Sequence, residues 1–577
     1  MGYKWTMETK KYSSLTTEYQ QDFSCDLPFS EYPRPQLKRD SYLCLNGEWN
    51  FSILNKKGQS EYDGKIIVPF VPESDLSGVC RQIKLDETLV YEREFTLPNG
   101  FKKDRVILHV GACDQFAKVY LNGALIGENV GGYLAFSFDI TKNLIDGANT
   151  LKIVAKDPNS YELPFGKQTT KRGGMWYTKI SGIWQTVWLE SLCESHITSI
   201  KITPDLRGID LCVCGGEDKK VVIVEGKEYS FQGEKTRIEI DNPKLWSPEN
   251  PYLYDLKITS GQDVVYSYFG LRTISIGEHK GNKTLLLNGK PYFFHGLLDQ
   301  GYFSDGIFLP ATEKGFLDDV LKMKECGFNT LRKHIKLEPD LFYYYCDKYG
   351  MIVFQDFINS GKYGFFIDTA LPTIGLKKGV THSATVFRKE QFEKTSKGIV
   401  DALYNHPCVV YYTIFNEGWG QYNAPENYSI FKHYDPTRIY DTTSGWFKSD
   451  VTDVESDHIY FKKIKPTKAK DKPWVVSEFG GYCYKLKDHS YNVKKTFGYK
   501  LFKTQEDFTK GLEELYNDQV VGAIKQGLCA TIYTQVSDVE DETNGLLTYD
   551  RRVLKVEVQR MKDIAKNLKK AFDETYN

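Results

Sequence analysis

The hydrophobic pattern of the sequence changes near residue 280, and this change restricts the folds that the chain can adopt. Before it, short runs of β-branched and aromatic residues, such as 106–110 (VILHV) and 117–121 (AKVYL), alternate with turn residues. After it, apolar strand candidates alternate with helical stretches, which indicates βα units and a parallel sheet. The first half therefore predicts β-sandwiches and the second half an α/β domain.

The second half contains eight strand candidates separated by helical patterns. The strands are predicted at 292–297, 329–332, 351–355, 409–415, 438–441, 454–460, 474–477 and 530–535. Helices are predicted in most of the gaps, at 312–326, 338–348, 387–405, 505–526 and 555–572. Eight βα units in about 300 residues is the size of a (β/α)8 barrel, or TIM barrel.

These patterns divide the chain into three predicted domains. Residues 1–192 would form a first β-sandwich, which ends just after the apolar run that closes at Leu189. Residues 193–278 form a second β-region, whose length of about 85 residues suits one immunoglobulin-like sandwich. Residues 279–577 would form the barrel.

The composition excludes several classes of protein. Lys+Arg 75 and Asp+Glu 76 leave a net charge of -1, so we expect no nucleic-acid partner. No stretch approaches the roughly 20 apolar residues of a membrane helix, and the start of the chain lacks the apolar core of a signal peptide. We therefore expect no membrane partner and a cytoplasmic location. The 12 cysteines show neither a paired framework nor metal-ligand spacing, which is typical of reduced thiols.

Two glutamates lie where a (β/α)8 barrel places its active site, at the carboxyl ends of strands. Glu417 follows the fourth predicted strand and Glu478 the seventh. These strands lie on opposite sides of a barrel, so the two carboxylates would face each other across the pocket. A single glutamate in a loop is most often a solvated acid, but a pair of carboxylates that face each other is what glycoside hydrolysis requires.

The motifs of the chain, taken together, resemble glycoside hydrolase family 2, which holds β-galactosidases, β-glucuronidases and β-mannosidases. Each motif is weak alone, but the set extends over nearly the whole chain. The motifs lie at 45–49 (LNGEW), 181–185 (SGIWQ), 245–248 (LWSP), 269–272 (FGLR) and 287–291 (LNGKP). The resemblance implies an amino-terminal jelly-roll β-sandwich with sugar-binding character, an immunoglobulin-like β-sandwich and a carboxy-terminal TIM barrel.

The resemblance also implies roles for five residues. Glu417 matches the general acid/base, and Glu478 matches the nucleophile. Asn416 would bond the sugar 2-hydroxyl. Arg332 and Tyr460 match a cation and a donor beside the nucleophile, and both would favour its ionised form. Purely structural roles are open for the last three: a cap for Asn416, a barrel salt bridge for Arg332 and core packing for Tyr460.

Further polar and aromatic residues near the strand tips are predicted to contact the sugar, because hydroxyl-rich ligands need donors, acceptors and ring faces. They are His295, Asp299, His334, Asp356, Trp446, His458, Tyr533, Gln535 and Asn544. The histidines have no metal-ligand spacing, and the magnesium ligands of the family's best-known β-galactosidases are not found. We therefore predict no metal and no cofactor.

The sugar is the least constrained part of the hypothesis. The resemblance implies a retaining exo-β-glycosidase that releases a terminal sugar by double displacement, with a β-galactosidase-like specificity first. The family's β-glucuronidases carry Asn-x-Lys after strand eight, whereas 544–546 reads NGL here, which disfavours glucuronides. The lysine-rich loop after strand six leaves β-glucuronidase or galacturonidase activity open. The strand-two tip 332–335 (RKHI) departs from the β-galactosidases, so β-mannosidase and arabinosidase activities are alternatives too.

Two other hypotheses use the same fold. A carbohydrate-binding protein without catalysis would need only the sandwiches, although both glutamates are present. An endo-acting hydrolase would need an open cleft, whereas an exo-acting enzyme needs a pocket with a closed end. In each case the expected partner is a carbohydrate. Family members are often dimers or tetramers, so a homo-oligomer is an open expectation.

Overall fold

The protein is described by a computed structural model that covers residues 15–373, 382–460, 462–465 and 471–576. No helix in this part of the chain is long and apolar enough to cross a membrane. Two antiparallel β-rich regions precede a parallel β-sheet with helices around it. The predicted limits of the three domains stay predictions, and the fold types are described in turn below.

The amino-terminal region is a sandwich of antiparallel sheets. Its strands are β1 Leu43–Cys44, β2 Gly47–Leu54, β3 Ser60–Val68, β4 Thr88–Thr96, β5 Arg105–Val110, β6 Cys113–Asp114, β7 Phe116–Leu121, β8 Ala124–Val130, β9 Phe136–Asp139, β10 Ala148–Lys156, β11 Gln168–Thr169, β12 Tyr177–Thr178, β13 Gly182–Ile183 and β14 Val187–Leu192. One sheet has the order β3-β2-β4-β10-β7-β8 and the other β1-β14-β5-β9. Alternate residues of β10 are buried, which places one face of the strand on a core that includes Trp49, Leu108 and Val119.

The second region is a smaller sandwich. Its strands are β15 Ile197–Pro204, β16 Gly208–Gly215, β17 Lys219–Val224, β18 Lys227–Gln232, β19 Lys235–Glu239, β20 Tyr254–Ser260 and β21 Asp263–Phe269. They form the sheets β15-β16-β19 and β18-β17-β20-β21. Glu225 and Gly226 both have positive φ, 47° and 81°, and connect β17 to β18 by a two-residue turn whose twist suits a hairpin. This agrees with the predicted immunoglobulin-like sandwich.

A three-stranded sheet of β22 Ile274–His279, β23 Asn282–Leu287 and β24 Lys290–Pro291 leads into the barrel. The barrel strands are β25 Phe294–Asp299, β26 Thr330–Lys333, β27 Ile352–Asp356, β28 Val409–Asn416, β29 Ile439–Ser444, β30 Glu455–Ile459, β31 Trp474–Gly480 and β34 Leu528–Thr534. A short pair, β32 Tyr482–Tyr484 and β33 Lys500–Phe502, lies outside the barrel sheet. The eight parallel strands have the order β29-β28-β27-β26-β25-β34-β31-β30. β29 and β30, at the two ends of this order, are bridged by Ser444 Oγ and His458 Nε2, 2.9 Å apart.

The helices around the barrel confirm most of the predicted segments. They are α1 Lys314–Glu325, α2 Asp340–Tyr349, α3 Leu371–Thr373, α4 Val386–Leu403, α5 Ala424–Tyr434, α6 Gln505–Leu515, α7 Val521–Ile524 and α8 Val558–Tyr576. All eight strand predictions are confirmed to within a few residues. The helix predicted at 505–526 is interrupted by a π-helical turn at Tyr516–Val520, and α5, which begins beside Pro425, was not predicted.

Side chains fill the barrel interior in layers. The rings of Phe294 and Phe354 lie 5.4 Å apart, and Phe354 stacks on Tyr411 at 4.2 Å. Side chains alternate between the inside and the outside of the barrel along each strand. Above the layer of these rings, nearer the carboxyl ends of the strands, the inward side chains are polar. On β26 the inward residue of that upper layer is Arg332, which is 0% exposed.

A buried ion cluster joins the two sandwiches. Arg39 donates from Nε and Nη2 to Asp263 at 2.9 and 2.8 Å, and from Nη1 to Glu190 at 3.0 Å. All three side chains are at most 5% exposed. Arg39 therefore compensates two carboxylates that belong to different sandwiches.

We expect Arg39→Ala to lower the free energy of unfolding by about 3 kcal/mol, because it leaves two buried carboxylates short of a cation. Urea or thermal unfolding of the whole chain measures the effect. Arg34→Ala is the matched control: Arg34 also contacts Glu190, but its side chain is 29% exposed, so a smaller loss is expected. Equal losses in the two variants would contradict a structural role specific to Arg39.

Candidate active site

The carboxyl ends of the barrel strands converge on the guanidinium group of Arg332. It donates to Asp356 Oδ1 at 2.9 Å, to Asn416 Oδ1 at 2.8 Å and to Glu478 Oε1 at 3.1 Å. The three acceptors come from β27, β28 and β31. One buried cation therefore orients polar groups from three other strands.

Glu478 is held on both oxygens. Arg332 binds Oε1, and Tyr460 donates from its hydroxyl to Oε2 at 2.5 Å. Burial alone would raise the pKa of the Glu478 carboxyl, but neighbouring His458 and Arg332 outweigh burial and lower the pKa to about 2. Glu478 is therefore an ionised carboxylate at neutral pH, which is the state that a nucleophile needs.

Glu417 follows β28 in an unusual backbone conformation. Its φ is 54°, in the left-handed region, and Gly418 follows with φ 78°. Its backbone N–H donates to Ser444 O at 2.9 Å, so the main chain is fixed by the neighbouring strand β29. This turn directs the carboxyl group into the pocket, where Glu417 is 16% exposed and Glu478 6%. Non-glycine residues in such conformations are common at functional sites.

The imidazole of His458 lies between the two carboxyl groups. Its Nδ1 is 2.7 Å from Glu417 Oε1, and its Nε2 is 3.6 Å from Glu478 Oε1. One donor or acceptor atom from each of Glu417, His458 and Glu478 lies within 4.8 Å of the other two. One oxygen of each carboxyl group is thus closer to the other group than the separation of roughly 6.5–9.5 Å that leaves room for a water molecule between acid and base.

The same three residues could offer ligands to a metal ion, but their surroundings favour acid–base chemistry. Both oxygens of Glu478 already accept hydrogen bonds, one of them from a guanidinium cation. A second group of possible ligands, Asp347, His406 and Cys408, is fully buried away from the pocket. There His406 Nδ1 and the Cys408 backbone already occupy the Asp347 carboxylate at 2.6 and 2.8 Å.

Residues of the amino-terminal sandwich contact the end of the barrel at which the pocket opens. Trp176 packs against Trp419 and Tyr363, with ring centroids 4.9 Å apart in both pairs. The Tyr177 hydroxyl donates to Glu542, and Thr178 N donates to Glu540 Oε1 at 2.9 Å. Both acids lie in the segment that follows β34. The pocket therefore has aromatic and acidic walls that two domains build together.

Some residues predicted to contact the sugar lie at the pocket. His334 Nδ1 contacts Asp356 Oδ2 at 2.6 Å, whereas its buried Nε2 has no partner among the described residues. Burial lowers the pKa of His334 to about 4, so the ring is neutral at pH 7. Because the Asp356 carboxylate can only accept a hydrogen bond, Nδ1 carries the proton. Nε2 is therefore free to accept a hydrogen bond from a hydroxyl group. Trp446 is partly exposed, 6.3 Å from the His458 ring.

Others support the pocket through bonds within the protein. Asp356 binds Arg332 and His334 with both oxygens, and the side chain of His458 is 0% exposed. Gln535 donates to Asn544 Oδ1 at 2.8 Å, and Asn544 Nδ2 is buried without a partner among the described residues. Protein atoms already bond the polar groups of Asp356, His458 and Gln535, which indicates that these residues position others. Their direct contact with the sugar stays a prediction.

Three predicted sugar contacts are wrong in position. His295 packs against Phe328 and Tyr516 outside the barrel, and Tyr533 packs against Phe479 and the same Tyr516. On their strands, His295 and Tyr533 lie between residues whose side chains point into the barrel. Their own side chains therefore point outwards, towards the helices. Asp299 is 3% exposed, and its carboxylate pairs with Lys333 Nζ at 2.7 Å. The carboxylate is therefore directed at Lys333 and not into the pocket.

Several site residues were missed. Ser444 and Ser477 hydrogen-bond each other at 2.9 Å beneath His458, and Thr534 bonds the Tyr460 hydroxyl at 3.0 Å. Ser477 and Thr534 stand at the ends of predicted strands, and Ser444 ends β29 three residues beyond the predicted strand. A polar residue near the end of a strand was the available signal. Tyr499, which stacks on Tyr460 at 4.0 Å, lies in a loop, and Trp176 comes from another domain. No local pattern indicates either of them.

Comparison with known proteins agrees with the order of the three regions. The family models for the glycosyl hydrolase 2 galactose-binding domain-like region, glycosyl hydrolases family 2 and the family 2 TIM barrel domain match residues 63–182, 209–272 and 279–570. The last match alone covers half of the 577 residues. The chain belongs to glycoside hydrolase family 2. The predicted fold class, with sandwich, immunoglobulin-like domain and TIM barrel, is confirmed.

Curated relatives within the family carry different names. A β-galactosidase of Thermoanaerobacter pseudethanolicus is 26% identical over 69% of this chain and 54% of its own length. A β-glucuronidase of Felis catus is 26% identical over 67% of this chain and 65% of its own length. The chain thus spans about half to two thirds of these family 2 relatives.

Solved structures share the fold at lower identity. A β-D-glucuronidase of Dictyoglomus thermophilum superposes with a TM-score of 0.73 and 18% identity over 93% of this chain and 98% of the other. A β-galacturonidase of Eisenbergiella tayi gives a TM-score of 0.68 and 20% identity over the same shares. At this identity the superpositions show the family 2 fold and leave the sugar open.

The depressed pKa of Glu478 predicts a pH-dependent contribution to stability. Above the unfolded-state pKa near 4.5 the ionised carboxylate stabilises the fold, and this contribution is lost as the pH falls towards 2. We expect the difference in unfolding free energy between wild type and Glu478→Gln to shrink by about 1 kcal/mol from pH 6 to pH 3.5. Urea unfolding at both pH values measures it. A difference that stays constant would show that Glu478 is not ionised preferentially in the fold.

Proposed function

We propose that this protein is a retaining exo-β-glycosidase that hydrolyses a terminal sugar from oligosaccharides or glycoconjugates. The observation that carries the proposal is the short distance between one carboxyl oxygen of Glu417 and one of Glu478, which lie within 4.8 Å of each other. Retaining glycosidases place these groups about 5–5.5 Å apart, because one of them must reach the anomeric carbon itself. Inverting enzymes need a wider gap.

In the first step Glu478, ionised and held by Arg332 and Tyr460, attacks the anomeric carbon. Glu417 gives its proton to the glycosidic oxygen, the bond to that oxygen breaks, and the leaving alcohol departs. The product is a glycosyl ester on Glu478. Its formation removes the negative charge that faced Glu417 and His458.

In the second step Glu417, now a carboxylate, takes a proton from a water molecule. The water oxygen attacks the anomeric carbon, and the ester bond to Glu478 breaks with return of the electron pair to the carboxylate. His458, which contacts Glu417 at 2.7 Å, holds that side chain in place through both steps. No cofactor enters the reaction. Asn416, aligned by Arg332, is the candidate partner of the sugar 2-hydroxyl.

The exo preference is supported by the entrance of the pocket. An endo-acting enzyme needs a cleft that is open at both ends. Here Trp176 and Tyr177 of the amino-terminal sandwich contact Trp419 and Glu542 of the barrel and obstruct one side. A chain end fits such a pocket better than the middle of a polysaccharide.

By the resemblance alone the β-galactoside is the first candidate for the sugar, in line with the β-galactosidase among the relatives. A β-uronide is the second candidate, in line with the glucuronidases and the galacturonidase among the relatives and solved structures. The arrangement of charge at the pocket favours this second candidate.

We expect Glu478→Gln to lower kcat at least about 1,000-fold, because the amide cannot form the ester. Release of p-nitrophenol from β-galactoside, β-glucuronide, β-galacturonide, β-mannoside, β-glucoside and α-L-arabinopyranoside measures it. Glu426→Gln, an exposed glutamate of α5, is the matched control and should keep full activity. Proton NMR of the wild-type reaction should show first the sugar anomer that has the same configuration as the substrate. An initial anomer of the inverted configuration, or near wild-type turnover by Glu478→Gln, would overturn the nucleophile assignment.

Replacing Glu417 by Ala should harm substrates with poor leaving groups most, because an activated aryl group departs without protonation. We expect a loss of about 100- to 10,000-fold for alkyl glycosides and a much smaller one for dinitrophenyl glycosides. Added azide should restore turnover of the activated substrates and give a β-glycosyl azide. Equal losses for all leaving groups, with no azide product, would argue against Glu417 as acid/base.

A further inference from the structure

A lysine of the amino-terminal sandwich stands at the mouth of the barrel. Lys167 immediately follows Gly166, whose φ is 71° and where an added Cβ would lie 3.0 Å from the carbonyl oxygen of Ile335. The Lys167 carbonyl accepts from Tyr177 N at 3.1 Å, and the Tyr177 hydroxyl in turn binds Glu542. The main chain at Lys167 is thus fixed between the segments that follow β26 and β34.

The ammonium group of Lys167 has no hydrogen bond or ion pair to any residue that the structure describes. Other lysines at this end of the barrel differ. Lys333 pairs with Asp299 at 2.7 Å, Lys336 with Glu338 at 2.9 Å, and Lys555 with Asp538 at 2.6 Å. Lys167 is also only partly exposed. A half-buried cation without a partner, beside a pocket that otherwise pairs its charges, is available for a ligand.

The charge of Lys167 acts on groups that line the pocket. Burial raises the pKa of Glu542, and Lys167 is the largest contribution that opposes this rise. Burial lowers the pKa of His334 to about 4, and Lys167 is the next largest cause in the same direction. Lys167 also contributes to the low pKa of Glu478, after the larger effects of burial, His458, Arg332 and His334. The ammonium group therefore lies near all three side chains.

The nearby acids are already engaged. Glu542 Oε2 accepts from the Tyr177 hydroxyl and from Gln535 Nε2, and Glu478 accepts from Arg332 and Tyr460. A sugar that fills the pocket leaves these bonds in place. A neutral sugar offers the ammonium group only hydroxyl acceptors and leaves its charge uncompensated, whereas a carboxylate both accepts its hydrogen bond and compensates the charge.

We propose that Lys167 is the specificity-determining residue of this site and that its ammonium group binds the carboxylate of a uronic acid in the glycone position. The proposal rests on the glycosidase function proposed above and names the class of its substrate, β-uronides. The glycone is the relevant part because Glu478 bonds its anomeric carbon, and Lys167 lies near Glu478 and His334. The leaving group departs towards Glu417, which directly follows β28, and β28 is separated from β34 by three strands in the barrel order.

The test compares pairs of substrates that differ only at C6. These are the p-nitrophenyl β-galacturonide and β-galactoside, and the β-glucuronide and β-glucoside. We expect wild type to show a higher kcat/KM for at least one uronide than for its neutral partner. Lys167→Gln should lower that uronide-to-neutral ratio about 10- to 100-fold, which is the worth of a charge-assisted hydrogen bond. Lys171→Gln, an exposed lysine in the same segment, is the control and should leave the ratio unchanged.

The outcomes separate this proposal from the proposed function. Turnover that requires Glu478, with a ratio that Lys167→Gln does not change, would overturn the role of Lys167 and leave the glycosidase intact. An equal fall for uronide and neutral sugar would indicate a role in domain packing and would also overturn it. A loss of the uronide preference alone supports it.

A binding measurement keeps the proposal testable when no aryl glycoside reacts. Isothermal titration of wild type and Lys167→Gln with free galacturonate, glucuronate, galactose and glucose uses the whole protein. We expect tighter binding of a uronate than of its neutral sugar to wild type, and loss of that difference in Lys167→Gln. Absence of any uronate preference in wild type would refute the proposal, whatever the catalytic result.

Discussion

The candidate site depends on one buried guanidinium charge. Arg332 has no exposed surface and donates hydrogen bonds to Asp356, Asn416 and Glu478, one acceptor from each of three other strands. A buried cation that lost these partners would destabilise the protein by several kcal/mol, so the register of the strands and the geometry of the site are maintained together. The same charge keeps Glu478 ionised. Stability of the barrel and the ionised state of Glu478 therefore have a common physical origin.

The pocket also depends on a second domain. The barrel alone supplies both carboxyl groups and the imidazole of His458 between them. The amino-terminal sandwich adds Trp176, Tyr177 and Lys167, which lie at the entrance. In the proposed function, chemistry and selectivity therefore reside on different domains. Such a division allows the sugar to change through loop residues of the sandwich while the reacting groups stay as they are.

Most of the barrel could be predicted because each strand is a short apolar run between helical patterns, and that is a local property. All eight strands were found in this way. Helix α5 was not found, and the segment 505–526 contains a π-helical turn that its regular apolar spacing did not indicate. The errors at His295 and Tyr533 have one cause. A strand end is visible in the sequence, but the side of the strand on which a residue lies depends on the register of the closed barrel.

The sequence by itself determined the order of the domains, the eight strands and the two glutamates. Glu417 and Glu478 could be found because each lies at the carboxyl end of a predicted strand, where the motifs of the family also place them. Only the tertiary structure decided the distance between those carboxyl groups, the place of His458 between them and the positions of Tyr499, Trp176 and Lys167. The physical reason is separation along the chain. Lys167 and Glu478 are some three hundred residues apart in sequence, and nothing local in either segment specifies their approach. It follows from how the sandwich docks on the barrel, through contacts that both domains contribute.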